Sequence, residues 1–184
     1  MTTISEFVKV DITDQMKVDA DRLGNIIYKA ATNDGMKPVF TVKDIIAAHG
    51  LGFLGEIAFS YYRYGNWDKI ADRTIGHTIP YDDTIDGKTI EVKTGNRIVD
   101  IAKISSNFYF MIPYQQVTHR PDYYVQILVH NGSAYITGYI TLEEVLRVGV
   151  TGSGQINPSF NVPISKLRPI GSLINPIGLA RWAK

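Results

Sequence analysis

The sequence predicts an α/β protein on the α+β boundary, with a small central mixed sheet flanked by helices. Three observations carry this. The predicted elements follow the order helices, hairpin, strand pair, short elements, the order of an α+β or α/β layer. Asp86-Gly87 and Asn131-Gly132 are each the turn signal of a two-residue hairpin between β-type runs. Residues 51–65, LGFLGEIAFSYYRYG, are apolar almost all round, the pattern of a helix enclosed by a core.

Composition narrows the function classes. The chain has 184 residues, 45% hydrophobic and 20% charged, which are globular values and exclude disordered, collagen-like and coiled-coil sequence. It has no cysteine, which excludes disulfide frameworks, thiolate metal sites and cysteine nucleophiles, and fits a reducing compartment. A net charge of +1 gives no global pull towards nucleic acid, so any such role must rest on a local site. The start, MTTISEFVKV, has an acid and no long apolar run, which predicts an intracellular, cytoplasmic protein without signal peptide or membrane span.

Taken in order, residues 13–32 predict a helix capped by Thr13 or Asp14, with Met16, Ala20, Leu23, Ile26, Ile27 and Ala30 at three- and four-residue steps, closed by Gly35 and Pro38. A short helix after Thr41 is expected to stop near Gly50, before the buried helix that carries Glu56. Residues 74–94 predict a hairpin, and 122–130 with 133–141 a second strand pair. Thr141-Leu-Glu-Glu starts a short helix with a capping box. Residues 148–163 read as loop and the last 20 as weakly ordered packing. The expected organisation is one domain over 1–184: an N-terminal helical extension (1–40), a catalytic core (50–142) and a loop-rich C-terminal segment (148–184).

The chemistry concentrates in residues 79–96, IPYDDTIDGKTIEVKTGN. With Asp86-Gly87 as the loop, Ile85 faces Lys88 and Asp82 lies across from Glu91. Alternation then places Asp82, Thr84, Thr89, Glu91 and Lys93 on one face, and Tyr81, Asp83, Ile85, Lys88, Ile90 and Val92 on the other. Facing carboxylates repel by about 4 kcal/mol at roughly 4 Å and an effective dielectric near 20. A hard divalent cation, Mg²⁺ above all, removes that repulsion. Lys93 beside such a site completes a constellation for phosphodiester hydrolysis.

The run Tyr81-Asp82…Glu91-Val92-Lys93-Thr94 resembles the acid-plus-E-x-K core of the PD-(D/E)XK, or restriction-endonuclease-like, nucleases. Gly52-Phe-Leu-Gly55-Glu56 is similar to the helix glutamate that many of them carry before the core hairpin, and the strands from Pro121 and Tyr135 are similar to the pair that follows. The resemblance spans roughly residues 50–142. It implies a central sheet between helices and Mg²⁺-dependent cleavage of DNA, with Mn²⁺ expected to substitute. By position, Asp82 and Glu91 would hold the metal with the Val92 carbonyl as a further ligand. Lys93 would orient or activate water, and Glu56 would assist through a second metal or a water. The chain departs from the pattern at Pro121-Asp122, which follows the E-x-K and so lies where the first acid does not belong. That role falls to Asp82, or to Asp83 if the hairpin carries a bulge.

Bland readings stand beside these: a half-solvated ribbon for the hairpin, and an ion pair with Arg63 for Glu56. Thr94, Asn96 and Arg97 are candidate backbone contacts, although residues 60–103 balance seven lysines and arginines against seven acids. The clusters Tyr61/Tyr62/Tyr64, Phe108/Tyr109/Phe110/Tyr114 and Tyr123/Tyr124 are expected in the core rather than on bases. His49, His77, His119 and His130 show no metal-ligand spacing. The leading expectation is thus a Mg²⁺-dependent endonuclease acting on DNA as a homodimer. A catalytically silent nucleic-acid-binding or assembly module is the alternative, and a hydrolase of small phosphate esters the third reading.

Overall fold

The structure is a computed structural model that describes residues 7–33, 42–72, 81–96, 101, 104, 108–151 and 158–175. Among these residues the order is β1 (Val8–Asp11), α1 (Asp14–Asn33), α2 (Val42–Tyr64), α3 (Asp68–Ala71), β2 (Asp83–Ile85), β3 (Lys88–Gly95), β4 (Tyr109–Pro113), α4 (Tyr114–Val117), β5 (Tyr123–His130), β6 (Ser133–Thr141), α5 (Leu142–Val148), β7 (Val150–Thr151) and β8 (Ser159–Pro163). The fold is mixed α/β of the α+β kind. A five-stranded sheet runs β1-β6-β5-β3-β2, and a second sheet runs β4-β8-β7. In the large sheet β3 and β5 are parallel and every other neighbouring pair is antiparallel.

Both hairpins form around their dipeptides. Asp86 and Gly87 take φ of 49° and 76°, and Asn131 and Gly132 take 47° and 75°, the left-handed pair that a type I′ turn requires. Thr13 caps α1, its Oγ1 accepting the Met16 amide at 3.2 Å. Thr141 and Glu144 close the reciprocal capping box of α5.

Helix α2 explains why its sequence lacks a polar face. Ala58, Phe59 and Tyr62 pack on Ile90, Val92, Val125 and Ile127 of the large sheet. Its other side places Ile57 among Met16, Ala20 and Leu23 of α1. The helix is sandwiched, and both faces must be apolar.

The structure corrects several expectations. Gly50 does not stop a helix, because α2 runs unbroken from Val42 to Tyr64. A Cβ on Gly24 would stand 2.9 Å from the Gly50 amide nitrogen, so α1 and α2 touch backbone to backbone there. Close packing offsets the weak helix propensity of glycine. Only one face of the large sheet carries the long helices. The other is closed by Phe110, Ile112, Val162 and Ile164 around the small sheet, and by Val145 of α5, packed on Tyr124, Leu128 and Ile140.

Strands β7 and β8 lie inside the stretch expected to be loop, and β4 was not anticipated. The tail up to Asn175 is built into the core. Ile164, Leu167, Ile170 and Ile174 are buried, and Tyr139 and Arg168 exchange backbone hydrogen bonds at 3.0 and 2.8 Å. The N-terminal segment contributes strand β1, which pairs with β6. The closing signals Gly35 and Pro38, the first part of the 74–94 hairpin, and His77 and Arg97 lie outside the described residues.

Candidate active site

The strand register places the site. Asp83 pairs with Ile90, Thr84 with Thr89 and Ile85 with Lys88, as the two-residue loop dictates. At Asp82 the ladder shifts by one. Its amide donates to the Ile90 carbonyl at 3.0 Å, and its Oδ2 accepts the Val92 amide at 2.7 Å. A side-chain carboxylate therefore takes a ladder position that a backbone carbonyl would otherwise fill, and the expected pairing of Asp82 directly across from Glu91 gives way to contacts with Ile90 and Val92 at the rim of the sheet.

From that rim Asp82 senses acids supplied by two elements. Its carboxyl is held well above the usual carboxylate range, first by burial and then by the negative charges of Glu56 on α2 and Glu91 on β3; the Val92 amide and Lys93 act in the opposite direction. Glu56, Asp82 and Val92 line one small cleft with Tyr64 and Lys69. Lys93 donates to Glu91 Oε1, and these two side chains are 17% and 18% exposed. Screening by water is weak at that burial, so the pair is a directed contact rather than a surface one.

Asp83 has other work. Its Oδ2 pairs with the Arg63 guanidinium at 2.6 Å, and its two oxygens accept the Tyr64 hydroxyl at 3.0 and 3.2 Å. Burial and this carboxylate push the Tyr64 hydroxyl up to about 12. Asp83 thus locks the hairpin to α2 through Arg63 and Tyr64. Asp122 is a clamp between strands. Its Oδ2 accepts the Thr89 amide at 2.8 Å and the Thr89 hydroxyl at 3.0 Å, while its own amide donates to Thr89 Oγ1 at 3.0 Å.

Thr94 faces α2, where a Cβ on Gly55 would lie 1.9 Å from its Oγ1. Asn96 is exposed, and Arg97 lies outside the described residues. Of the aromatic clusters, Tyr62, Phe110 and Tyr124 are buried, whereas Tyr109 is 48% exposed.

Two residues near the site were not anticipated. Parallel pairing sets Tyr124 beside Glu91 and Gln126 beside Lys93. Burial and the Glu91 charge raise the Tyr124 hydroxyl pKa, and this hydroxyl donates to the Gln116 carbonyl at 3.2 Å. Gln126 is 4% exposed, with its Oε1 accepting the Thr137 hydroxyl at 2.8 Å. A glutamine within the apolar run YYVQILV was the available signal.

The donor chemistry suits a hard cation. All three acids are oxygen donors, and their mutual repulsion is what a divalent ion relieves. Among the described residues no group of three or more His, Cys, Asp or Glu side chains is gathered as metal ligands. A cation at this rim would therefore have Asp82, Glu91, a backbone carbonyl and water, a sparse set of the kind Mg²⁺ accepts. Among the described residues no helix is long and apolar enough to cross a membrane. No family model, no curated protein and no solved structure matches the chain.

Proposed function

We propose that the chain is a metal-dependent nuclease of the PD-(D/E)XK kind, an endonuclease hydrolysing phosphodiester bonds of DNA inside the cell. The observation that supports this is the Asp82 carboxylate, built into the sheet rim between Glu56 and Glu91 with Lys93 paired to Glu91. An ordinary hairpin gains nothing from an acid buried where two neighbouring carboxylates raise its pKa, whereas a cation-dependent site does.

In this reading Asp82, Glu91 and the Val92 carbonyl hold Mg²⁺, with Mn²⁺ able to substitute. The ion supplies polarisation of the scissile phosphate and a more acidic bound water. The Val92 amide fixes one oxygen of Asp82, so the acid is oriented before substrate arrives. Glu91 aims the Lys93 ammonium, which holds the attacking water or a phosphate oxygen. Glu56 sets the local negative potential and offers a further acceptor for water. Cutting both strands of a duplex from one such rim calls for two copies, so a homodimer belongs to this reading.

The test is cleavage of supercoiled plasmid, linear duplex, single-stranded and four-way-junction DNA with Mg²⁺, with Mn²⁺ and with chelator, for wild type, Glu91→Ala and Lys93→Ala. Metal-dependent cleavage lost in both variants is the expected result. DNA binding without cleavage on every substrate would replace the enzyme with a silent binding module. Cleavage surviving in both variants would move the site elsewhere.

A further inference from the structure

The parallel strands β3 and β5 lead from the carboxylate rim into a second cleft, of about 340 Å³, within the range of small-ligand sites (about 300–1,000 Å³). Lys93 forms part of its wall, so it adjoins the proposed site of phosphate chemistry. Its other walls include Asn96 after β3, Gln126 of β5, and Phe108, Tyr109 and Met111 at β4. Among the described residues that line it there is no carboxylate.

Three features give the cleft a chemistry. Strand β4 turns Phe110 and Ile112 into the core and leaves Tyr109 and Met111 outside, 48% and 46% exposed. A flat ring and a polarisable thioether at alternate positions of one strand make a stacking wall rather than a packing seam. Gln126 is nearly buried, and because its Oε1 accepts the Thr137 hydroxyl, its amide nitrogen is the group left to donate. A fixed donor in an apolar wall reads the edge of a flat polar ligand. Among the described residues of the lining Lys93 alone is charged, and it is the cation that would hold the neighbouring phosphate.

The geometry points to a nucleobase site: this cleft takes an unpaired base of the strand being cut, stacked against Tyr109 and Met111 with its edge at Gln126 and its phosphate at Lys93. In a duplex both faces of each base are covered by its neighbours, so the substrate class is DNA with single-stranded character at the scissile phosphate. This deepens, and rests on, the nuclease reading.

The experiment uses a fluorescent deoxyoligonucleotide, single-stranded or annealed to its complement. Binding is read by anisotropy in chelator and cleavage in Mg²⁺, for wild type, Tyr109→Ala, Tyr109→Trp, Gln126→Leu and Lys93→Ala. Leu146→Ala, an exposed apolar position on α5, is the control. The expected result is tighter binding of the single strand than of the duplex by wild type and the control. Tyr109→Ala loses about tenfold of that affinity, in line with one stacked base, and Tyr109→Trp keeps it.

Equal affinity for the two forms, or a preference untouched by Tyr109→Ala and Gln126→Leu, overturns the base site even if Lys93→Ala abolishes cleavage. A preference that falls with Tyr109→Ala while no protein cleaves supports the base site and removes the nuclease reading instead. Absence of binding to either oligonucleotide overturns both.

Discussion

The Asp82 carboxylate accepts the Val92 amide at 2.7 Å and so acts as part of the strand ladder. This one substitution of side chain for backbone has two consequences. It fixes an acid at the sheet rim, within reach of charges on α2 and on β3. It also makes that acid costly, because burial and two negative neighbours favour its protonated form.

Asp82→Asn is therefore expected to stabilise the protein while removing the proposed chemistry. The folded-state pKa of Asp82 is raised, so the fold binds this proton more tightly than the unfolded chain does. Its contribution to stability is fully present below the ordinary carboxylate pKa and is lost as pH rises through the raised value. In chelator at neutral pH, Asp82→Asn should melt higher than wild type, by roughly 2–4 °C per kcal/mol of relieved repulsion, and the gap should close on acidification. Adding Mg²⁺ should raise the melting temperature of wild type and leave Asp82→Asn unmoved. A variant that melts lower than wild type in chelator at neutral pH would contradict the strained-acid account.

Asp122 separates a structural Pro-Asp from a catalytic one. Its carboxyl is held below the usual range, first by the Thr89 amide, so its contribution is present above the ordinary carboxylate pKa and is lost as pH falls through the lowered value. Asp122→Ala should cost about 1 kcal/mol at neutral pH in urea titration, a modest figure because the side chain is exposed. Cleavage per folded molecule should stay close to wild type. A loss of about a hundredfold would instead make Asp122 part of the reaction.

The hairpin was legible because a two-residue loop leaves no choice of register: Asp86-Gly87 sets Asp83 against Ile90. The slip at Asp82 itself was not legible, since it depends on a carboxylate competing with a carbonyl for the Val92 amide. Nor was the placement of Gln126 beside Lys93, because parallel pairing joins segments separated by residues 96–122 and leaves no local periodicity. The small sheet escaped for a similar reason. β7 spans two residues and β8 ends at Pro163, too short for alternation to stand out against Gly, Ser and Asn.

Gly55 tests how tightly α2 is held to β3. A Cβ there would meet Thr94 Oγ1 at 1.9 Å and Thr94 Cβ at 2.9 Å, so Gly55→Ala forces the helix off the strand. The expected loss is about 1–3 kcal/mol by chemical denaturation, with partial recovery in Gly55→Ala/Thr94→Ala, where the hydroxyl and methyl are gone but the Cβ remains. Activity should fall with the single variant even well below its melting temperature, because Glu56 is the next residue along α2 and moves with the helix. Gly55→Ala with wild-type stability and rate would mean that α2 and β3 are not in this contact.

Lys93 and Glu91 are joined in the structure but have different proposed roles, and metal binding tells them apart. Glu91 is a proposed ligand, so Glu91→Gln should weaken Mg²⁺ or Mn²⁺ binding, read by calorimetry, and lose cleavage in proportion. Lys93 carries a positive charge that pairs with Glu91 when no divalent ion is present. Lys93→Met removes a competitor for that carboxylate and should bind the metal as tightly as wild type or more so. Its cleavage should nonetheless fall by about a hundredfold or more, because the group that orients the water or phosphate is gone. Weaker metal binding in Lys93→Met than in wild type would make the lysine a structural support for the ligands and transfer the water-positioning role to another residue.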